Sequence, residues 1–330
     1  MRLACSTPLE VAGLHPDAKG DARDPADVVV DLAGAPAHRA EPAHRIVEPT
    51  GGWLEVSPRG SGRGGGANLR FGYADQHVHF EIGPGGAEVA ASWSPAVLPA
   101  HVATLLLSTV MGYLLHLQGR PALHAGVVAW NGAAYAFAGD SGAGKSTTVG
   151  ALVRRGGAVV SDDVAALACG PGGWAVFPGP PGIRLAPDVQ AMFGDAGAAA
   201  TPVWSASPLM ADNAFQQVED KSLVVPAAVA PDADGTPGPL RLAGIFLLPP
   251  RSDRRDAPQI VALPRAAAVP LLGAHVLTPA WVRRTADRAQ FLTLADLART
   301  TPVRVVERPD RLDAVPALCD ALLDEMDRLR

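Results

Sequence analysis

Polar and apolar residues mix in short runs through the first third of the chain and gather into longer apolar stretches beyond it. Residues 1–43 are rich in Ala, Pro, Asp and His, with one β-like run from Val28 to Leu32. From His44 to about Ser94 the pattern is that of half-buried strands separated by glycine turns, over His44–Glu48, Trp53–Val56, Leu69–Tyr73 and His77–Ile82. Gly60–Gly66 reads as a flexible loop. The spacing predicts a first helix over Pro99–Gln118, ended by Gly119-Arg120-Pro121. Two apolar runs follow, Ala125–Trp130 and Ala133–Ala138, joined by Asn131-Gly132, a strong hairpin signal. A glycine-rich segment then leads into a helix over Thr147–Arg155, stopped by Gly156-Gly157. The buried strand Ala158–Val160 delivers Ser161-Asp162-Asp163. Beyond it, Pro231–Pro239 is a loop, Leu240–Leu248 a strand, Pro270–Arg299 mostly helical, Thr301–Glu307 a strand and Leu312–Leu329 an amphipathic helix. The expected organisation is a β-rich N-terminal domain over residues 1–94 and an α/β domain over residues 95–330.

Composition narrows the classes. The chain has 330 residues, 48% of them hydrophobic and 18% charged, enough for a sizeable core. Lys+Arg 28 against Asp+Glu 33 leaves a net charge of -5, which argues against a nucleic-acid binder working by phosphate neutralisation. Cys5, Cys169 and Cys319 are odd in number and far apart, as in a reducing compartment. No signal-peptide core is evident at the N-terminus. The most apolar stretch, Val102–Leu117, is short for a bilayer span and interrupted by Thr104, Ser108, Thr109 and His116. A cytoplasmic protein with no membrane partner is expected. Only Lys19, Lys145 and Lys221 among the basic residues are lysines, so a retained lysine draws attention to a need for a compact charge.

Gly139-Asp140-Ser141-Gly142-Ala143-Gly144-Lys145-Ser146 matches the phosphate-binding loop G-x-x-x-x-G-K-[ST], between a predicted strand and a predicted helix that opens with Thr147. Gly139, Gly142 and Gly144 free the backbone to turn its N–H groups onto phosphate oxygens. The helix N-terminus adds partial positive charge. Lys145 reaches the β and γ oxygens, and Ser146 offers its hydroxyl to Mg2+.

Asp162-Asp163, at the end of the next apolar strand, stands where a Walker-B-type carboxylate belongs. One acid can hold Mg2+ while its neighbour accepts a proton from an attacking hydroxyl. His77 and His79 share a strand face but have no further ligand at metal spacing, so surface pairing is the better reading. Arg283, Arg284 and Arg288 read as a solvated helical face.

In these residues the chain resembles the kinases related to HPr kinase/phosphorylase. The resemblance is carried by Leu123-His124-Ala125, by Gly139–Thr147 and by Val160-Ser161-Asp162-Asp163-Val164, and covers about residues 95–190. It implies a P-loop kinase core of the HPr kinase and phosphoenolpyruvate carboxykinase type, using ATP and Mg2+, often as a homo-oligomer. It implies that Asp162 accepts the proton of a serine hydroxyl, that Asp163 assists Mg2+ with Ser146, and that His124 orients the acid. The other reading of His124 is a core histidine satisfied by backbone. Phe177–Leu185 lacks the acidic signature loop of the enzymes acting on HPr, and no family N-terminal domain is recognisable in residues 1–94. The Pro-Gly-x-Pro-x-x-Arg-Leu loop looks like the branch that phosphorylates a serine of lasso-peptide precursors. By that similarity Arg184 contacts phosphate or acceptor; a structural salt bridge is the alternative. Related kinases close a basic residue over the γ-phosphate near the position of Lys221, which otherwise reads as part of a solvated charge cluster.

The sequence therefore supports a kinase whose acceptor is a serine of a peptide or protein, with residues 1–94 as the candidate recognition part. A nucleotide-driven switch, a kinase of a small hydroxy compound such as free serine, and a non-catalytic nucleotide sensor are the alternatives. No guanine-reading Asn/Thr-Lys-x-Asp motif follows the loop, and the intact Lys145, Ser146, Asp162 and Asp163 argue against a dead site.

Overall fold

The computed structural model describes residues 3–5, 28–31, 44–47, 52–60, 64–73, 76–97, 99–180, 182–185, 189, 200–202, 222–224, 238–277 and 288–330. The fold is mixed α/β and divides into two compact units. One comprises Met1–Gly119, Thr201–Ser222 and Pro279–Arg284, the other Arg120–Ala200, Leu223–Thr278 and Thr285–Arg330.

The first unit is built on a seven-stranded sheet of β1 (Leu3–Cys5), β2 (Val28–Asp31), β3 (His44–Val47), β4 (Trp53–Arg59), β5 (Gly66–Tyr73), β6 (Gln76–Ile82) and β7 (Glu88–Trp93), in the order β1-β2-β7-β6-β5-β4-β3. Strands β3 to β7 form an antiparallel meander, in which strands consecutive in sequence pair with one another. Their alternation puts Val56, Leu69, Phe80 and Ile82 on one buried face. On these strands Trp53 takes the opposite parity to Val56, and the guanidinium groups of Arg45 and Arg70 lie 5.2 and 5.3 Å from the centre of its ring.

The core of this sheet is closed by the apolar segment at 99–117, which the sequence grouping placed with the C-terminal part. Its pattern predicts one helix. The structure has α1 (Pro99–Leu105), a π turn over Leu106–Val110 and α2 (Met111–Leu117). Ser108 Oγ donates to the Thr104 carbonyl at 2.6 Å within this irregular stretch.

The second unit carries β8 (Ala122–Trp130), β9 (Ala133–Ala138), β10 (Ala158–Ser161), β11 (Val164–Gly170), β12 (Gly173–Val176) and β13 (Ile183–Leu185). The short β14 (Ala200–Pro202) and β15 (Ser222–Val224) precede β16 (Leu240–Leu247), β17 (Gln259–Ala262) and β18 (Val303–Glu307). Asn131 and Gly132, at φ 49 and 79, supply the left-handed turn that joins β8 to β9. Pairings β8–β9, β9–β16, β16–β12, β12–β11 and β11–β8 close a ring of five strands. Within it β9 runs parallel to β16, and outside it β18 pairs parallel to β16. The helices are α3 (Lys145–Arg154), α4 (Arg265–Ala274), α5 (Arg288–Thr300) and α6 (Val315–Leu329).

Helices cover the strands in two separate layers. Ala134, Ala136 and Ala138 of β9 belong to a core with Leu272 of α4 and Leu297 of α5. Tyr135 and Phe137 belong to another core with Val149 and Leu152 of α3 and Leu322 and Met326 of α6. Both faces of β9 are thus buried, so the strand that enters the glycine-rich segment is held rigidly. Among the described residues no helix is long and apolar enough to cross a membrane.

Candidate functional site

The segment from Gly139 to Gly144 leaves β9 and enters α3 with the turn geometry its glycines predict. A Cβ on Gly139 would lie 2.6 Å from the Leu248 carbonyl oxygen, so only glycine lets the chain pass the end of β16. Gly142 and Gly144 have φ values of 77 and 86, in the region that L side chains avoid. The Ala143 amide donates to the Asp140 carbonyl at 3.0 Å and closes the turn. Asp140 and Ser141 are exposed at its crest.

Lys145 is 6% exposed and curls back across this turn, its Nζ donating to the carbonyls of Gly139 at 2.8 Å and Asp140 at 3.0 Å. The first amides of α3 have no intrahelical acceptor and carry the positive end of the helix dipole. An ammonium and open amides at one mouth make an anion cradle. Thr147 is turned elsewhere and lines a surface cavity with Ala151, Val315 and Cys319.

Strands β10 and β11 pair with the same edge of β8, and Asp162-Asp163 is the break between them. Ser161 pairs with Val127 and Val164 with His124, leaving the two acids opposite Ala125 and Gly126. Asp163 takes φ 68, an uncommon conformation for a residue with a side chain. A Cβ on Gly126 would stand 3.0 Å from Val149 Cγ2, so this glycine lets β8 pass closely under α3; Asp162 Oδ1 would be at an ordinary 3.7 Å.

The Ser146 hydroxyl donates to Asp162 Oδ1 at 3.0 Å. Asp162 Oδ2 accepts the Arg184 backbone N–H at 2.9 Å, with the Arg184 Nε at 3.8 Å. The Arg184 guanidinium pairs with Asp163 Oδ2. Buried Ile183 and Leu185 anchor β13 on either side and present Arg184 to both acids. The Asp162 side chain is 6% exposed and that of Asp163 25%, so they form an inner and an outer carboxylate.

His124 Nδ1 lies 3.2 Å from the Asp163 carbonyl oxygen. A carbonyl only accepts, so this bond requires the tautomer with hydrogen on Nδ1 and leaves Nε2 with its lone pair. Burial, then the Lys145 charge, lowers the His124 pKa to about 4 against a pull upward from Asp162. His275 follows α4, its carbonyl accepting the His124 backbone N–H at 2.7 Å and its Nδ1 lying 4.0 Å from Asp140 Oδ1. Burial lowers its pKa too, opposed by Asp140.

The structure thus brings His124, Lys145, Ser146, Asp162, Asp163 and Arg184 to one end of the strand ring. Lys221, Arg283 and Arg284 lie outside the described residues, and Arg288 is exposed. His77 Nδ1 lies 3.1 Å from Ser94 Oγ. Among the described residues no three His, Cys, Asp or Glu side chains form a metal-holding group. Sequence reasoning missed His275 and Arg308. A single histidine after an Ala- and Leu-rich helix, and a single arginine after a strand, carry no motif.

The oxygen donors fit a hard divalent cation. Ser146 and Asp162 supply two adjacent protein oxygens, and Mg2+ characteristically takes one or two protein ligands and completes its shell with water and phosphate.

No family model matches the chain, and no curated protein matches it. Among solved structures it is similar to the HPr(Ser) kinase/phosphatase of Coxiella burnetii at 10% identity and a TM-score of 0.29, over 63% of this chain and 97% of that one.

Proposed function

We propose that the protein is an ATP- and Mg2+-dependent kinase that transfers the γ-phosphate to a serine hydroxyl of a peptide or protein. The observation that carries this reading is the hydrogen bond from Ser146 to Asp162. It joins the last residue of a phosphate-binding loop to a carboxylate at the next strand end, the relation a nucleotide-bound metal requires. Gly139–Ser146 would hold the phosphates, with Lys145 moving its Nζ from two carbonyls onto β and γ oxygens. Mg2+, when bound, would neutralise developing charge on the transferred group.

The hydrogen bonds support a different division of labour between the acids from the one the resemblance implies. Asp162 already shares its Oδ1 with Ser146 and gives its Oδ2 to the Arg184 amide, so it is the metal-side carboxylate. Asp163, the outer acid, accepts the proton of the attacking serine. The serine oxygen forms a bond to phosphorus, the bond to the ADP oxygen breaks, and the hydroxyl hydrogen passes to Asp163. His124, neutral and bonded to the Asp163 carbonyl, holds the left-handed turn that aims this acid. Residues 1–94 hold none of the groups this chemistry uses and are proposed as the part that recognises the acceptor. The departures in Phe177–Leu185 favour a lasso-peptide precursor or similar peptide over HPr.

The test is transfer of γ-labelled phosphate from Mg2+-ATP to host lysate, free serine, HPr and serine-containing peptides, with an Asp163→Asn variant alongside. Label on a peptide or protein that depends on Asp163 is the expected result. Label released only as inorganic phosphate would favour a nucleotide-driven switch, and label on free serine a small-molecule kinase.

A further inference from the structure

We infer that Arg308 is a positioning residue for phosphate binding, holding the Ala143 carbonyl behind the loop so that the Gly144 amide faces the phosphates. This rests on the phosphate-binding reading of Gly139–Ser146 and deepens it. Arg308 immediately follows β18 and is 5% exposed. Its Nη1 donates to the carbonyls of Pro249 at 3.1 Å and Val306 at 3.3 Å, and its Nη2 to the carbonyl of Ala143. Pro249 lies just past β16, and Ala143 lies in the loop that leaves β9. Since β9, β16 and β18 are parallel, one guanidinium ties together the carboxyl ends of three parallel strands. That is the end of such a sheet at which ligands bind.

The orientation follows from peptide geometry. In a planar trans peptide the C=O and the following N–H point in opposite directions. Fixing the Ala143 carbonyl on Arg308 therefore turns the Gly144 N–H away from the guanidinium. A Cβ on Gly144 would lie 3.8 Å from Arg308 Nη2, so the cation is close behind the loop. Three carbonyls demand a planar fork of donors, which arginine has and lysine lacks. Burial is the main influence lowering the Arg308 pKa, to about 10, so the group stays charged at neutral pH and adds a fixed positive potential there.

The experiment is calorimetric titration of Mg2+-ATP and Mg2+-tripolyphosphate into the full chain, its Arg308→Met and Arg308→Lys variants, and Arg304→Met as a control. Arg304 is another largely buried arginine, paired with Glu325 on α6 and remote from the loop in its contacts. Arg308→Met is expected to weaken both ligands by the same factor, roughly tenfold, at a temperature where it is fully folded. Arg308→Lys should weaken them severalfold. Arg304→Met should lower the melting temperature and leave both affinities unchanged. Wild-type affinity in Arg308→Met, or an equal loss in Arg304→Met, would overturn the inference. If Arg308→Met does not fold, wild-type affinity in Arg308→Lys would overturn it. A wild-type chain that binds neither ligand would overturn the phosphate-binding reading itself, and this inference with it.

Discussion

Ser146 and Asp162, separated by 16 positions in sequence, meet through a 3.0 Å hydrogen bond from hydroxyl to carboxylate. One belongs to the first turn of α3, the other to the break between β10 and β11. The bond fixes which of two adjacent acids faces the loop. Asp163, turned by its positive φ, is left for the open side with the Arg184 guanidinium.

Exchanging each acid for its amide should therefore separate two functions. Asp162→Asn should raise the Mg2+ concentration needed for ATP binding roughly tenfold or more, because a charge-assisted metal contact is lost. Asp163→Asn should bind Mg2+-ATP almost as the wild type does and lose about a hundredfold or more in transfer rate, as removal of a general base does. Metal titrations beside single-turnover transfer would check both. The reverse pattern would restore the roles the family resemblance implies.

Arg184 touches the acids in two ways that mutation can separate. Its backbone N–H bonds Asp162 and survives any side-chain change, while its guanidinium pairs with Asp163. Arg184→Ala is expected to keep Mg2+-ATP affinity within about twofold and to cut transfer by roughly tenfold to a hundredfold, the scale for one lost charged contact near a reacting group. A variant that loses nucleotide binding instead would make Arg184 part of the phosphate site.

Lys145 donates its ammonium hydrogens to two loop carbonyls. Lys145→Ala should weaken ATP by about tenfold to a hundredfold, since an ionised hydrogen-bond donor is removed from the anion. Its affinity for adenosine should be unaffected. Competition by tripolyphosphate against ATP would read the difference.

The loop was legible because its residues encode their own geometry. Gly142 and Gly144 announce positive φ, and Asn131-Gly132 announces the hairpin. The acids were legible as a pair but not in their orientation. Which of them faces the loop depends on Asp163 turning left-handed, which no spacing rule conveys. Strands β11 and β12 went unpredicted. Val164–Gly170 is Val-Ala-Ala-Leu-Ala-Cys-Gly, a short apolar run without a period that separates strand from helix. The helix at 99–117 was visible in its apolar residues, but its π turn and its place in the core of the N-terminal sheet depend on tertiary packing.

Acid should also act through a buried histidine of the N-terminal unit. His101, on α1, is 1% exposed, and burial lowers its pKa to about 4 from an ordinary value of 6.5. The unfolded chain therefore binds a proton in that interval that the folded chain refuses. Stability contributed by the neutral ring is full above pH about 6.5 and falls as the pH drops toward 4, by about 1.4 kcal/mol per pH unit for one such group. His124, lowered to the same value, adds a parallel loss in the same window. His101→Leu removes one of these groups. Whatever its effect at pH 8, its stability relative to wild type should improve steadily between pH 6.5 and 4, and stop improving below 4. Urea unfolding of both proteins at half-unit pH steps would measure it. Parallel curves across the window would mean that His101 takes up its proton without unfolding the chain around it.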